Sequence, residues 1–487
     1  MSYSHPARTT TRVLFTLIAF LAPGWHLSSV AAEPEGRPNI ILIIADDMGW
    51  EDSGPYGHKA IRTPSLDRLA DGGMRFDNAI LTCSSCSPSR SSIITCRYPH
   101  NTGAEQLHQS LPKEQTTFVE LLKKAGYWTA AVGKWHLGNA VEDRFDVVGP
   151  MGTAVASDAD AKKKRGGGNS SGCEGWVPTL RDRPRDKPFF LWLAAFDPHR
   201  AYSPNAIPEP HKPADALVPA YLPDTPEVRR DLALYYDEIS RLDSFVGKVL
   251  DELERQKIAD NTVVMFITDN GRPFPRCKTT VYDSGVKTPL IVHWPAKVKA
   301  GSSTASLVSS IDVGATILDV AGVKPAEVMQ GKSFANVLSD PQQAAREFAF
   351  SEHNWHDYEA RSRSVRTTRY KYIRNEYRDL PNTPPADAVR SPTYAVMQKL
   401  RDAAQLTPAQ MVCFTVPLPA EELYDLESDP HELSNLAGES SHGPVLAKMR
   451  AALDHWKTET KDVTPEKRRP DGFHRELGTQ LQNRPKR

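Results

Sequence analysis

One uninterrupted apolar run, Asn39-Ile-Ile-Leu-Ile-Ile-Ala45, constrains the fold of this 487-residue chain more than any other segment. A strand that is buried on both faces of a parallel sheet has this continuous pattern, because both rows of its side chains pack against helices. Similar runs occupy 127–132, 188–196 and 262–268, with helical patterns between some of them. The alternation predicts an α/β fold with a large, mixed but mostly parallel central sheet flanked by helices.

Two helices are marked by their end signals. The pattern from 118 to 125 is helical and stops at Gly126, a residue type that often follows a helix. Thr225 and Pro226 supply a capping hydroxyl and a proline for the first turn. Apolar residues then recur every three or four positions from 232 to 253, which predicts a long amphipathic helix.

The pattern changes in two later regions. Between 149 and 187 the composition shifts to Gly, Ser, Lys and Asp, which predicts a flexible surface loop. Beyond about residue 345, an alternating strand pattern at 364–373 and an amphipathic pattern near 445–456 replace the earlier alternation. We therefore predict a main domain over 33–345 and a smaller C-terminal α+β subdomain with an antiparallel sheet over 346–487, closing over the active site.

The N-terminus has the features of a signal peptide over 1–32. Arg8 and Arg12 precede an apolar stretch at 13–22, and Val30-Ala31-Ala32 offers a cleavage site. The stretch is shorter than the roughly 20 residues that a membrane-spanning helix needs, so an anchor is the less favoured alternative. The prediction is an exported protein without a membrane anchor after cleavage, periplasmic or secreted, or lysosomal in a eukaryote.

Charge and cysteine content argue against several other classes. The 60 Lys and Arg residues balance 60 Asp and Glu residues, and no long basic run indicates binding to nucleic acid or a membrane surface. The six cysteines are too few and too scattered for a disulfide framework. Cys83 and Cys86 have the C-x-x-C spacing of a redox or zinc half-site, but no second C-x-x-C follows, so this is the less favoured interpretation.

Polar residues follow each predicted strand, and two of these positions carry paired oxygen donors. Asp46 and Asp47 follow the first strand, and Asp269 and Asn270 follow the fourth. Ligands in α/β sheets bind at the carboxyl ends of the strands. Oxygen donors without His or Cys favour calcium or magnesium over zinc, although each pair alone is also typical of a turn.

The most specific segment is Cys86-Ser-Pro-Ser-Arg90, which resembles the sulfatase signature C-x-P-x-R. In that family a maturation enzyme oxidises the cysteine to formylglycine, and the fold is an alkaline-phosphatase-like sandwich. The resemblance extends from about 38 to 456 and includes a C-terminal segment at 423–436. Further positions stand in the family's order: Asp46, Asp47, Lys134, His136, His199, Asp269, Asn270 and Lys278.

The resemblance implies a role for each of these positions. Calcium would be bound by Asp46, Asp47, Asp269, Asn270 and the formylglycine at 86. Arg90 would hold the hydrated aldehyde, of which one hydroxyl attacks sulfur and the other serves to expel sulfate. Lys134 and His136 would orient the second hydroxyl, with His136 as base. His199 and Lys278 would bind the sulfate and protonate the leaving group.

Several segments look closer to the heparan N-sulfatases than to arylsulfatases, including 84–90, 197–200 and 269–275. They imply hydrolysis of N-sulfoglucosamine as the leading prediction. An O-sulfatase of another sulfated polysaccharide is the alternative. Contacts to the sugar are predicted for His108, Arg200, His353 and His356, because a sulfated sugar with a carboxylated neighbour calls for cationic or hydrogen-bonding groups at the rim.

Two other classes stay open at this point. A phosphatase or phosphodiesterase of the same superfamily would use Ser or Thr as nucleophile and two transition metals, which Cys86 argues against. An inactive carbohydrate-binding relative is disfavoured because every expected catalytic position is filled. One departure from the family is Cys96, where the family has a glycine after Thr95 and close backbone packing is expected.

Overall fold

The computed structural model describes residues 1–5, 36–149 and 170–482. Most of the predicted signal peptide and most of the Gly-rich stretch at 149–169 lie outside the described residues. Eight strands belong to one sheet: β1 Asn39–Ala45, β2 Met74–Ile80, β3 Trp128–Gly133, β4 Val147–Val148, β5 Phe189–Ala194, β6 Thr262–Thr268, β7 Lys287–His293 and β8 Ser302–Ser309.

The order of strands in this sheet is β4-β3-β5-β1-β6-β7-β2-β8. Strands β4, β3, β5, β1 and β6 are mutually parallel, and β2 is parallel to β8. Strand β7 is antiparallel to both of its neighbours. The mixed, mostly parallel sheet predicted from the sequence is confirmed.

Helices cover both faces of the sheet. The helices are α1 Pro64–Asp71, α2 Cys86–Thr95, α3 Phe118–Lys124, α4 Trp176–Asp182, α5 Pro226–Arg255, α6 Asp283–Val286, α7 Ile311–Val320, α8 Ala335–Ser339, α9 Ala386–Val389, α10 Pro392–Asp402, α11 Pro408–Met411 and α12 Gly443–Thr460. Single 3-10 turns lie at Gly54–Tyr56, Pro99–Asn101, Asn139–Arg144, Pro213–Asp215 and Ser440–His442.

The continuous apolar run of β1 divides between two cores. Ile40, Leu42 and Ile44 belong to the core that contains residues of α2, α3 and α7. Ile41 and Ile43 belong to the core on the other face, with residues of α1, α4 and α5. Both rows of side chains are therefore buried, which is the physical reason for the absence of polar residues from this strand.

A second sheet follows in the C-terminal part, with β9 Ala349–His353, β10 Ser362–Arg366, β11 Tyr370–Asn375 and β12 Glu421–Asp425. Its order is β12-β11-β10-β9, and every pair is antiparallel. Helix α12 covers it through Leu446, Met449, Leu453 and Trp456. The antiparallel sheet predicted for this part is confirmed.

Two local predictions are corrected. The single strand predicted over 364–373 is a hairpin of β10 and β11, because the chain turns at 367–369, where the Thr367 amide donates to the Tyr370 carbonyl at 2.8 Å. The predicted loop at 149–187 contains helix α4, which is held in the core by Trp176 and Leu180.

The described residues from Gly36 onward form one compact unit. Buried ion pairs join the second sheet to helix α6: Lys371 Nζ lies 2.8 Å from Asp283 Oδ1, and Arg366 also pairs with Asp283. The division after residue 345 stays a prediction. Within the described residues, no helix is both long and apolar enough to cross a membrane.

Cys96 is accommodated by a glycine opposite it. Cys96 ends helix α2 in the left-handed conformation, with φ at 55°, where glycine is the usual residue. A Cβ on Gly314 of α7 would lie 2.5 Å from Cys96 Sγ, so the absence of a side chain at 314 leaves room for the thiol. The local backbone therefore keeps the left-handed turn despite the side chain at 96.

Candidate active site

The carboxyl ends of four adjacent parallel strands, β3, β5, β1 and β6, meet at one edge of the sheet. Each strand delivers polar residues to this edge because the chain leaves the sheet there. The residues that follow these strands are Lys134 and His136 after β3, His199 after β5, Asp46 and Asp47 after β1, and Asp269 and Asn270 after β6.

Cys86 is the first residue of helix α2 and faces the carboxylates that follow β1. Its Sγ lies 3.8 Å from Asp46 Oδ1 and 3.9 Å from Asp47 Oδ1, and the side chain is almost completely buried. The N-terminus of a helix favours negative charge through its free amides and its dipole. A nucleophile at position 86 therefore lies where developing negative charge is stabilised.

The oxygen donors at this edge fit a hard cation. Asn270 Nδ2 lies 2.8 Å from Asp47 Oδ1 and 2.9 Å from Asp269 Oδ1, while Asn270 Oδ1 is buried and has no hydrogen-bond partner among the described residues. If the side-chain amide were rotated by about 180°, Oδ1 would lie beside the same carboxylate oxygens, where all of them could bind one cation. Together with Asp46 this gives four oxygen-bearing side chains, the set that calcium prefers.

Burial raises the pKa values of these carboxylates, and the neighbouring positive charges lower them. Burial raises the pKa of Asp47 to about 7, although the Lys278 ammonium counteracts it. Burial raises the pKa of Asp269 to about 6, against the effect of Arg90. Burial, the largest single effect, also opposes ionisation of Asp46, but Lys134, His199, Arg90 and Lys278 together outweigh it and lower the pKa of Asp46.

Three cations surround the carboxylates. Lys134 Nζ lies 2.5 Å from Asp46 Oδ2, and Lys278 Nζ lies 2.7 Å from Asp47 Oδ2. Arg90 pairs with Asp269 Oδ2 through Nε at 2.8 Å and Nη2 at 2.7 Å. All three side chains are buried, so their charges act on the site with little screening by solvent.

The proton state of His199 is set by its backbone partner. His199 Nδ1 is hydrogen-bonded to the Arg200 carbonyl, which only accepts, so Nδ1 carries the proton. Nε2 faces two carboxylates, at 3.8 Å from Asp47 Oδ2 and 3.7 Å from Asp387 Oδ2. Burial lowers the pKa of His199, with a further contribution from Lys278. Nε2 is therefore the ring nitrogen that carries no proton in the neutral form and can gain one.

A pair of histidines, His108 and His136, also lies near the carboxylates. His108 Nδ1 is 2.7 Å from His136 Nε2, so one of these nitrogens donates and the other accepts. His136 Nδ1 is buried and has no partner among the described residues, which leaves it for a ligand. Burial lowers the pKa of His136 well below its usual value, and His108 lowers it further. His136 is thus held in its neutral form, in which one ring nitrogen carries no proton.

Four residues of the site or beside it have a left-handed backbone. Asp47, His108, His136 and Thr279, none of them glycine, have φ between 55° and 70°. Each such position costs of order 1 to 3 kcal/mol and persists only where the surroundings hold it. The strain is consistent with a site whose geometry is kept for function.

The four predicted sugar contacts differ in position. His356 Nδ1 is 2.6 Å from Ser85 Oγ, and Ser85 directly precedes Cys86. His353 is buried near Tyr282, Asn375 and Glu422, around a gap too small for a water molecule, and burial lowers its pKa to about 3. The neutral imidazole that results offers hydrogen bonds, one of the two kinds of contact expected from the sequence, but no positive charge.

The Arg200 side chain, predicted from the sequence to contact the sugar, lies in a buried ion pair that can act as a structural brace. Its guanidinium is buried and pairs with Asp231 at 2.8 and 2.7 Å, and Nε donates to the Pro273 carbonyl at 2.7 Å. The rings of Tyr202 and Phe274 lie 4.7 and 4.4 Å from it. These contacts join the segment that carries His199 to helix α5 and to the segment that carries Lys278.

Replacing Arg200 with methionine tests this brace. Loss of one partner of a buried ion pair costs about 3 to 5 kcal/mol, so we expect a large fall in the free energy of unfolding, measured by urea denaturation. The double variant Arg200→Met/Asp231→Asn should recover part of it, because no charge is left unpaired. An unchanged unfolding midpoint combined with a tenfold higher KM would instead restore Arg200 to the substrate pocket.

Sequence reasoning missed Asp387 and Trp355. Asp387, in helix α9, faces His199 Nε2 although no motif surrounds it in the sequence. Trp355 packs in a small cluster with Cys86 and Leu107. Both come from the C-terminal part of the chain, and only the three-dimensional fold brings them to the site.

Two family profiles match the chain. The profile described as Sulfatase matches residues 38–323. A second, described as N-sulphoglucosamine sulphohydrolase, C-terminal, matches residues 276–384. Among curated proteins, N-sulphoglucosamine sulphohydrolase of Homo sapiens is 32% identical over 88% of this chain and 91% of its own length. An ulvan-active sulfatase of Formosa agariphila is 30% identical over 88% of this chain and 76% of its own length.

Solved structures share the fold. One protein, solved with its substrate D-glucosamine-2-N,6-O-disulfate, aligns with a TM-score of 0.66 at 21% identity, covering 88% of this chain and 99% of that one. The phosphonate monoester hydrolase of Agrobacterium radiobacter aligns with a TM-score of 0.65 at 18% identity, covering 87% and 96%. At these identities the likeness confirms the fold alone.

Proposed function

Since the chain belongs to the sulfatase family, we propose that it hydrolyses the N-sulfate group of N-sulfoglucosamine, with residue 86 as the nucleophile after oxidation to formylglycine. Membership makes the chain a hydrolase of sulfate esters or sulfamates. The observation that carries the choice of nucleophile is the position of Cys86, which begins helix α2 within 4 Å of both Asp46 and Asp47.

The chemistry of sulfate explains this choice. Negative oxygens shield the sulfur, so the site has to neutralise charge and position a strong nucleophile. Formylglycine in its hydrated form supplies two hydroxyl groups, one to attack sulfur and one to release sulfate afterwards. Asp46, Asp47, Asp269 and Asn270 are proposed to hold calcium, which supplies positive charge next to the sulfate oxygens.

The cations of the site bind the sulfate. Lys134 and Lys278 are buried and positively charged, and each is already oriented by a carboxylate at 2.5 and 2.7 Å. Arg90, fixed by Asp269, also donates to the Lys134 carbonyl at 3.2 Å and so maintains the spacing between these groups. Such preoriented donors stabilise charge without the cost of reorganisation during the reaction.

Two histidines move protons. His199 is proposed to act through Nε2, because its Nδ1 proton is bound to the Arg200 carbonyl. In its imidazolium form, in which Nε2 also carries a proton, it would protonate the leaving group when sulfate is transferred. His136 is proposed to accept a proton at Nδ1, the nitrogen that has no partner among the described residues. His108 orients this ring through its hydrogen bond to His136 Nε2.

The relatives support a sulfated sugar as substrate and favour N-sulfoglucosamine. The human relative named N-sulphoglucosamine sulphohydrolase aligns along 91% of its length, and the C-terminal profile of that enzyme also matches this chain. The alternative is an O-sulfatase of another polysaccharide, supported by relatives named ulvan-active sulfatase and N-acetylgalactosamine-6-sulfatase. A formylglycine-generating enzyme is the proposed maturation partner. Export through the N-terminal segment remains part of the proposal.

Sulfate release from two defined sugars separates these alternatives. We expect protein from a host that makes formylglycine to release sulfate from N-sulfoglucosamine with kcat/KM at least about 100-fold above that for glucosamine 6-sulfate, the discrimination that a few kcal/mol provides. Conversion of residue 86 is confirmed first by peptide mass spectrometry. Release from only the 6-sulfate by converted, calcium-loaded protein would replace the N-sulfatase assignment with an O-sulfatase.

A further inference from the structure

A carboxylate outside the proposed calcium set lies beside the proposed acid. Asp387 Oδ2 is 3.7 Å from His199 Nε2, while Oδ1 accepts a hydrogen bond from the Ala388 amide at 2.8 Å. The second contact fixes the carboxylate within helix α9. The side chain is 16% exposed, so Asp387 can be reached by a ligand that enters the site.

The position next to His199 Nε2 is where the leaving group is released. In N-sulfate hydrolysis the S–N bond breaks, an S–O bond forms, and the nitrogen gains protons: R–NH–SO₃⁻ and H₂O give R–NH₃⁺ and SO₄²⁻. In O-sulfate hydrolysis R–O–SO₃⁻ and H₂O give R–OH, SO₄²⁻ and H⁺. The group released is a cation in the first reaction and a neutral alcohol in the second.

The two lysine ammonium groups of the site disfavour a cationic leaving group. Lys134 and Lys278 are both buried here, and a third ammonium close to them would be repelled. A carboxylate in hydrogen-bond range of that nitrogen offsets the repulsion and accepts a charge-assisted hydrogen bond. An alcohol gains only an ordinary hydrogen bond from the same carboxylate.

We infer that Asp387 is a specificity residue, which favours N-sulfated over O-sulfated substrates by binding the amine as it leaves. The inference rests on the proposed function, since it concerns the group released at that same site. It assigns a role in substrate choice to the C-terminal part of the chain, which delivers Asp387 to residues that follow the central strands.

The test compares wild-type protein with Asp387→Asn, which keeps an oxygen for the Ala388 amide and removes the charge. We expect the ratio of kcat/KM for N-sulfoglucosamine to that for 4-nitrophenyl sulfate to fall about 10- to 100-fold, the range for one charge-assisted hydrogen bond. The matched control is Asp402→Asn at the end of helix α10, where the side chain is 67% exposed. Its ratio should not change.

Product inhibition provides a second measurement of the role of Asp387, and it does not depend on hydrolysis of an O-sulfate. At about pH 6.5 an amine with a pKa of about 8 is mostly protonated. Glucosamine should therefore inhibit wild-type protein more strongly than N-acetylglucosamine does. Asp387→Asn should lose that preference and raise the inhibition constant of glucosamine about 10-fold or more.

Each contrary outcome is distinct. An unchanged inhibition constant for glucosamine in Asp387→Asn, with N-sulfate hydrolysis intact in the wild type, overturns the inference and leaves the proposed function standing. Absence of N-sulfate hydrolysis in converted wild-type protein overturns both. A second bound metal ion that disappears in Asp387→Asn, measured by elemental analysis, would make Asp387 a metal ligand and also overturn the inference.

Discussion

Replacing Cys86 with alanine is expected to reduce kcat/KM for sulfate release by about 10⁴-fold or more, since removal of a catalytic nucleophile has effects of this size in other hydrolases. Alanine has no sulfur to oxidise, so formylglycine cannot form. The side chain at 86 faces Asp46 and Asp47 in a buried site. The unfolding midpoint should change little compared with the loss of activity, because only the atoms beyond Cβ of one small side chain are removed.

Cys83→Ala is the matched control. Cys83 is also buried and lies in the same segment, but its Sγ contacts the Ser85 carbonyl at 4.0 Å rather than the carboxylates. This variant should keep most of the wild-type activity. Equal loss of activity in both variants would show that the segment tolerates no change, and substantial activity in Cys86→Ala would exclude residue 86 as the nucleophile.

Removal of the metal should have the second-largest effect. After dialysis against a chelator, we expect kcat to fall at least about 100-fold, because a bound cation supplies several kcal/mol of charge stabilisation in the transition state. The thermal midpoint should fall as well, since a ligand at 100 times its Kd stabilises the folded state by about 2.7 kcal/mol. The loss of stability is the loss of the binding free energy of the ion, which only the folded arrangement of Asp46, Asp47 and Asp269 provides.

The identity of the restoring ion discriminates between site types. Calcium should restore both activity and midpoint, because all four protein donors are oxygens. The control is a titration with magnesium, which demands a tighter octahedral shell and should restore less. Restoration by zinc alone would instead favour the phosphodiesterase alternative, and full activity after chelation would exclude a catalytic metal.

The parts of the fold that were predicted correctly are those in which burial leaves a direct mark on the sequence. Strands β1 and β6 begin and end at the predicted residues, Asn39–Ala45 and Thr262–Thr268, because helices on both faces exclude polar residues from them. Helix α5 begins at Pro226, and Thr225 accepts a hydrogen bond from the Val228 amide as predicted from its capping signal.

The missed elements lack such marks. The turn at 367–369 between β10 and β11 contains no Gly, Pro, Asn or Asp, so the alternating pattern continues through it. Helix α4 follows a Gly-rich stretch and is stabilised by burial of Trp176 rather than by its own propensity. In both cases tertiary contacts, which a local pattern does not record, decide the structure.

The site residues also fall into those that the sequence predicts and those that only the structure reveals. Residues that follow strands were placed at one edge of the sheet by topology, and the structure brings Asp46, Asp47, Asp269 and Asn270 together there. The sugar contact predicted for Arg200 stays a prediction: its neighbour His199 faces the site, whereas the Arg200 side chain pairs with Asp231 of helix α5. Asp387 was missed because its contact to His199 joins distant parts of the chain without any motif.

The most direct test of the account is to measure activity against the extent of conversion of residue 86. Preparations that differ in formylglycine content, quantified by mass spectrometry of the peptide containing residue 86, would be assayed for sulfate release from N-sulfoglucosamine in calcium. We predict a specific activity proportional to the converted fraction, with none when conversion is zero. Equal activity in fully converted and unconverted protein would contradict the account.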